Sequence, residues 1–315
     1  MMEIMSFLNA PDARTLGRVA GALAVDEAFV EKDWYVVQAI RTLLGQGNAD
    51  ISPIFSGGTS LLKGHGLIKR FSEDIDFKLG LSPAFLELSG NQQSKTLSKF
   101  KNTLVSAWTA AGFTITEIIA RDANGFIQVE MDYPSIIDDH DALRPHILAE
   151  LSAKPPRLPA QTKPLSSYVN QYRALAAEVA EIACVDPVET AADKLSAFTW
   201  RMIVRDRASP KDDPTIVRHL HDLAALEPVI SESDAFPALL AETMVADTHR
   251  GGVVTLQLTP AERLAAMLEK LQSDPLYADD YARFVGGMAF AGEGEIPSFD
   301  AAVQAVTRLC AKLAG

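Results

Sequence analysis

Phe55–Leu79, FSGGTSLLKGHGLIKRFSEDIDFKL, sets a double glycine ahead of two hydroxyls and a lysine, and then a D-x-D on an alternating run. Ile51 to Phe55 reads as a short strand, and Gly57-Gly58 breaks it at once. Thr59 and Ser60 can cap a helix that continues through Leu61, Leu62 and Lys63. A strand, a glycine turn and a helix start make an anion site: backbone N–H groups point outward, glycine permits close approach, and the helix dipole adds partial positive charge. On the strand that follows, Asp74, Asp76 and Lys78 share one face and Ile75, Phe77 and Leu79 the other, because side chains alternate. The apolar set can bury in a sheet. Two carboxylates one strand step apart on the open face repel each other unless a cation sits between them. Oxygen ligands of this kind suit Mg²⁺, which takes its remaining ligands from water and substrate phosphates. D-x-D alone also describes a solvated edge strand, and GG-[TS] alone an ordinary turn. Their succession favours a nucleotide- and metal-binding core.

Upstream, residues 12 to 24 read as an amphipathic helix capped by Asp12, and a second helix runs from about Glu27 to Leu44. Trp34, Val37, Ile40 and Leu44 approximate its apolar face. Glu31, Lys32 and Asp33 precede that stripe, either as a solvated helical turn or in a structural or ligand role. Downstream, a helix over residues 93 to 111 ends at Gly112. Phe113–Ile119 and Phe126–Asp132 then form a hairpin, with Asn124-Gly125 in the turn. After an aspartate-rich loop (IIDDHDALRP), His146–Ser152 alternates as another strand. Glu150, the charged residue of that strand, is the candidate third metal ligand, with Asp132 and Glu130 as alternatives.

Residues 154–167 carry most of a four-proline stretch without apolar periodicity and read as a linker. The expected division is therefore 1–153, a mixed-sheet domain with N-terminal helices, and 168–315, a helical domain. Asp186-Pro187-Val188-Glu189 is a helix start, with an Asp cap and proline at the first position. Lys194 and Arg201 project together from that helix, two turns apart. Asp213-Pro214 opens a further helix, on which Arg218 and Asp222 form an i, i+4 pair. His219 and His221 face different ways and are poor partners for one metal. Thr259-Pro260 opens another helix, AAVQAVTRLCAKL forms the last, and GEGE near residue 292 reads as a loop.

Composition narrows the classes. The chain has 315 residues, of which 48% are hydrophobic and 22% charged, as in ordinary globular proteins. Lys plus Arg is 29 against 41 for Asp plus Glu, a net −12, so polynucleotide contact requires a local patch rather than a global field. Cys184 and Cys310 form neither a disulfide framework nor a zinc motif, and a cytoplasmic setting is expected. The opening MMEIMSFLNAPD has no basic region before an apolar stretch, and no apolar run is long enough to span a membrane.

Four blocks in order, EKDWYVVQAIRTL, GGTSLLKGHGLIKRFSEDIDF, ETAADKLSAFTWR and RHLHDLAAL, resemble the AbiEii/AbiGii-type nucleotidyltransferases, the toxin halves of type IV toxin–antitoxin and abortive-infection systems. The resemblance implies an α+β fold: a mixed-sheet domain of the DNA polymerase β-like nucleotidyltransferase type, followed by a helical C-terminal domain. It implies that Gly57, Gly58, Thr59 and Ser60 hold the triphosphate with Lys63 nearby, that Asp74 and Asp76 bind catalytic Mg²⁺, that Lys194 contacts phosphate and that Asp222 completes the active site. The chemistry is in-line attack at the α-phosphate of an NTP with pyrophosphate leaving. Two cations about 3.5–4 Å apart can stabilise the attacking and leaving oxygens. Asp222 could then orient or deprotonate the attacking hydroxyl. An RNA, in particular the 3′ end of tRNA, is the acceptor that the resemblance suggests, with a protein or a small molecule as the alternatives, and an antitoxin encoded nearby is the expected partner. Two rivals stay open: γ-phosphoryl transfer by a kinase using the same site, and an inactive nucleotide-binding interaction module.

Overall fold

The computed structural model describes residues 7, 9–138, 140–289 and 296–314, so the GEGE segment lies outside the described residues. The chain divides into two compact units, Met1–Gly66 with Phe71–Val185, and Leu67–Arg70 with Asp186–Gly315. It thus leaves the first unit for four residues just ahead of the D-x-D and then returns.

The first unit is built on a seven-stranded mixed sheet, and the fold class is α+β as expected. Its strands are β1 (Ile51–Ser56), β2 (Ile75–Leu81), β3 (Thr114–Arg121), β4 (Phe126–Asp132), β5 (Ile147–Ser152), β6 (Gln161–Leu165) and β7 (Val179–Cys184). They lie in the order β3-β4-β5-β2-β1-β7-β6. β1 and β2 pair antiparallel, and each is flanked on its other side by a parallel neighbour, β7 and β5 respectively. The D-x-D therefore sits in the middle of the sheet, not at an edge. Ile75, Phe77 and Leu79 are buried as the alternation requires, whereas Asp76 and Lys78 on the other face are only half-buried.

The apolar face of the sheet shares its core with the helices Glu27–Leu44 and Gly90–Ala111. Val30, Val37, Ile40 and Leu43 of the first meet Leu97, Phe100, Leu104 and Trp108 of the second in that core. The Trp108 indole N–H donates to the Ala39 carbonyl at 3.0 Å, which satisfies its one polar group and fixes the two helices against each other. Asp12 and Asp26 cap the two N-terminal helices with side-chain hydrogen bonds, and Gly112 ends Gly90–Ala111 in the left-handed region.

The proline-rich stretch is not a linker. β6 lies inside it and β7 follows, so the first unit extends to Val185, well past the expected boundary. β6 is an edge strand, and its pairing with β7 shifts register across Pro164, the place where a sheet tolerates a residue without an N–H. A proline at an edge bulge leaves no alternation to read, which is why the strand is invisible in the sequence.

The second unit is helical among its described residues. Pro187–Val204 starts at the Asp186 cap, whose carboxylate accepts from the Val188 N–H at 2.8 Å. It packs against Arg218–Ser231, Phe236–Ala246 and Pro260–Ser273, and Phe299–Ala314 lies along Arg218–Ser231. Thr259 and Glu262 form a reciprocal capping box, as the Thr-Pro signal implied. Among the described residues no helix is long and apolar enough to cross a membrane.

Candidate active site

The glycine turn and the D-x-D meet directly. Ser56 is the register partner of Asp76 in the β1–β2 pairing, so the turn leaves β1 beside the second carboxylate. Gly57 has φ +72°, and a Cβ placed on it would stand 1.9 Å from Asp76 Oδ2. Only glycine fits, for conformational and steric reasons together. From Gly57 the chain makes one helical turn, which widens into a π-helical segment over Ser60–Gly64.

Thr59 is fully buried. Its hydroxyl donates to the Asp74 carbonyl at 2.5 Å and lies 3.0 Å from Ser72 Oγ. Thr59 thus staples the turn to the backbone carrying Asp74, and its side chain faces inward. Ser60 is also buried, and its Oγ has no hydrogen-bond partner. Lys63 is engaged inside the unit: its ammonium is 2.5 Å from Asp33 Oδ1, donates to the Ser166 carbonyl at 3.0 Å and lies 4.2 Å from the centre of the Tyr168 ring. In this arrangement it anchors the turn to the helix Glu27–Leu44. Ser56, absent from the sequence-level assignments, is mostly buried, precedes the turn and makes no capping bond with its side chain. Its register across from Asp76 could be seen only once β1 and β2 were paired.

Asp74 lies one residue before β2, and its side chain is 32% exposed. Its Oδ1 is a buried atom without a hydrogen-bond partner. Glu150 is the register partner of Asp76 across the parallel β2–β5 pair, and Gln128 of β4 lies opposite Glu150 in turn. Asp132 and Glu130 sit on β4, one strand further out. Among the described residues, however, no group of three or more His, Cys, Asp or Glu side chains is arranged to hold a metal ion. Asp74 and Asp76, with Glu150 adjacent, are hard oxygen donors beside a phosphate-type turn. An orphaned carboxylate oxygen at this place fits a cation that draws much of its coordination from substrate and water.

Glu31, Lys32 and Asp33 are buried, at 2%, 0% and 1% exposure, which decides between the two readings of that triplet in favour of structure. Glu31 accepts from the Ser135 hydroxyl and the Ile136 N–H, at 2.5 and 2.8 Å. Lys32 is ion-paired with Glu73 and donates to the carbonyls of Arg144 and His146, the latter at 3.0 Å. Asp33 pairs with Lys63 and accepts from the Tyr168 N–H at 2.7 Å. Burial pushes the Lys32 ammonium down and the Asp33 and Glu73 carboxyls up, each against the pull of its partner. One helical turn therefore fixes the segment before Asp74, the loop into β5 and the helical segment after the glycine turn.

In the second unit Lys194 and Asp222 form an ion pair at 2.8 Å. Arg70 adds a two-pronged pair to the same carboxylate, Nε to Oδ1 and Nη2 to Oδ2, both at 2.7 Å. His221 Nδ1 lies 3.3 Å from Oδ1. The sequence-level i, i+4 partner of Asp222, Arg218, is instead directed to Asp213 and Thr215. Burial alone would raise the Asp222 carboxyl, but the Arg70 and Lys194 charges with the Arg70 and His221 hydrogen bonds hold it well below the usual carboxylate range. Such a group is a fixed anion and a weak base.

Residues 40–305 match the family described as the nucleotidyl transferase AbiEii toxin of type IV toxin–antitoxin systems. The chain belongs to this family, and is a nucleotidyltransferase of its toxin class. Among solved structures it is similar to MenT4, a nucleotidyltransferase toxin from Mycobacterium tuberculosis H37Rv, with a TM-score of 0.46 and 18% identity over 95% of this chain and 98% of that one. No curated protein matches it.

Proposed function

We propose that the protein transfers an NMP group from an NTP to a hydroxyl of an RNA acceptor, the 3′ end of tRNA in particular, in a Mg²⁺-dependent reaction. The observation that carries this reading is the contact of Gly57 with Asp76, which merges a phosphate-type turn and a pair of carboxylates into one place. Asp74 and Asp76 would hold the cation, with Glu150 as the adjoining carboxylate. When bound, Mg²⁺ supplies charge neutralisation on the phosphates and polarisation of the α-phosphorus.

The chain's own residues supply the rest. The N–H groups after Gly57 bind phosphate oxygens, and Thr59 holds the turn on the Asp74 backbone. Lys63 positions the turn through Asp33. Lys194 is assigned to substrate phosphate, oriented by Asp222, and Asp222 is assigned this orienting role instead of proton abstraction because its charge is already locked. The expected partner is a cognate antitoxin.

The test is incubation with labelled NTPs, total RNA and Mg²⁺. Label from an α-labelled NTP should appear in RNA and disappear in Asp74→Ala and Asp76→Ala. Transfer that survives both substitutions, or label arriving only from the γ position, would refute this assignment, the second result in favour of a kinase.

A further inference from the structure

The loop between β4 and β5 delivers one arginine to the carboxylates, and its backbone is held there by buried charge. The Arg144 N–H donates to both oxygens of Glu73, at 3.2 Å each, and its carbonyl accepts from Lys32. Lys32 is wholly buried and ion-paired with the same Glu73. Two buried ionic groups therefore clamp the peptide on either side of the Arg144 Cα. The side chain they present is 42% exposed, and its Nε stands 3.7 Å from Asp74 Oδ1 and 3.9 Å from Glu73 Oε1. Both distances exceed hydrogen-bond length, and among the described residues the guanidinium makes no hydrogen bond. Burying charge is costly unless it is matched, and here it fixes the origin of a side chain that is itself left open to solvent. A planar fork of N–H donors beside Asp74, on a clamped backbone, is suited to bidentate recognition of phosphate.

We propose that Arg144 is a substrate-binding residue of the nucleotidyl transfer site: its guanidinium rests against Asp74 in the free enzyme and engages the triphosphate when the NTP binds. This rests on the nucleotidyltransferase reading. In the free enzyme the same positive charge disfavours a divalent cation at Asp74, so Arg144 couples occupancy by the cation to arrival of the nucleotide. Removing the side chain should then move two affinities in opposite directions, which loss of a purely structural contact would not do.

The experiment is calorimetric titration of the full chain with each of the four NTPs in MgCl₂ without acceptor, and a separate titration with Mn²⁺ alone followed by electron paramagnetic resonance. For the NTP that wild type binds, Arg144→Ala should weaken binding about tenfold or more, with Arg144→Lys intermediate because it keeps the charge but not the fork. Mn²⁺ alone should bind Arg144→Ala about threefold more tightly than wild type. Arg14→Ala, an exposed arginine elsewhere in the unit, should match wild type in both. NTP binding by both Arg144 variants equal to wild type overturns this role and leaves the nucleotide site standing. Failure of wild type to bind any NTP overturns both. Arg144→Lys also serves if Arg144→Ala fails to fold.

Discussion

Asp74 in the first unit and Asp222 in the second are the same side chain in opposite settings. Asp74 is partly exposed, keeps one oxygen without a hydrogen-bond partner and has its nearest cationic nitrogen at 3.7 Å. Asp222 is wholly buried and takes three contacts of 2.7 to 2.8 Å from two cations. The first setting leaves a carboxylate able to accept a further ligand, and the second leaves none. A third setting lies between them. Lys32 with Glu73 and Lys63 with Asp33 are buried pairs with one close cation to each carboxylate, and there desolvation shifts Lys32, Asp33 and Glu73 toward their neutral forms. Around Asp222, two cations to one anion reverse that balance. Burial separates the carboxylate that can take a further ligand from those that only hold, and the number of close cations then sets the charge state of the buried ones.

The largest effect is expected at Asp74. Asp74→Ala should lower nucleotidyl transfer by about a thousandfold or more while leaving the thermal midpoint nearly unchanged. A large loss of stability would mean that Asp74 is a structural anion like Asp222. Asp222→Ala should do the reverse first: chemical denaturation is expected to show the protein about 3–5 kcal/mol less stable, because Arg70 and Lys194 lose their shared anion. A stable variant with wild-type denaturation would remove the contrast.

Gly57→Ala sharpens the geometry. The added methyl must displace the Asp76 carboxylate, and a misplacement of this size is expected to lower the transfer rate about a hundredfold. Wild-type rates would show that Asp76 need not sit where it does. The smallest effect is in pH. The depressed Asp222 contributes stability that is present above its unfolded value of about 3.9 and is lost only as pH falls through its lower folded value. The stability gap between wild type and Asp222→Asn should stay level from pH 8 to about 4.5 and narrow only at lower pH. Asp33 is raised, so its contribution is fully present below the unfolded value and is lost as pH rises through the folded one. Wild type should therefore gain on Asp33→Asn as pH falls toward about 4. Equal slopes for the two variants, in urea melts across pH, would show that the two environments do not differ.

Much of the secondary structure of both units could be read locally. The alternation in residues 75–79, the Asn124-Gly125 turn region, the Asp12, Asp186 and Thr259 caps and the helix Glu27–Leu44 depend on neighbours in sequence, and they appear where periodicity and capping place them. β6 did not, because an edge strand bulged at Pro164 has no periodic signal, and β7 did not, because its place in the sheet is set by pairing with β1, more than a hundred residues earlier. Lys63 carried a basic charge next to the turn, but its pairing with Asp33 depends on a helix some thirty residues earlier. Arg144 stood in an aspartate-rich loop with no motif around it, and only the Lys32–Glu73 clamp marks it out.

The sequence by itself determined the chemistry available: a glycine-hydroxyl turn, an acidic pair at strand spacing and the ordered blocks that define the family, because each is a short-range pattern of residue types. The tertiary structure decided which charges are open and which are locked. Glu31, Lys32, Asp33 and Asp222 look like surface acids and bases on helices, and their burial follows from what packs over them. Solvation and the number of opposing charges within hydrogen-bond reach are properties of the folded neighbourhood, and they set whether a carboxylate binds a ligand or holds a fold together.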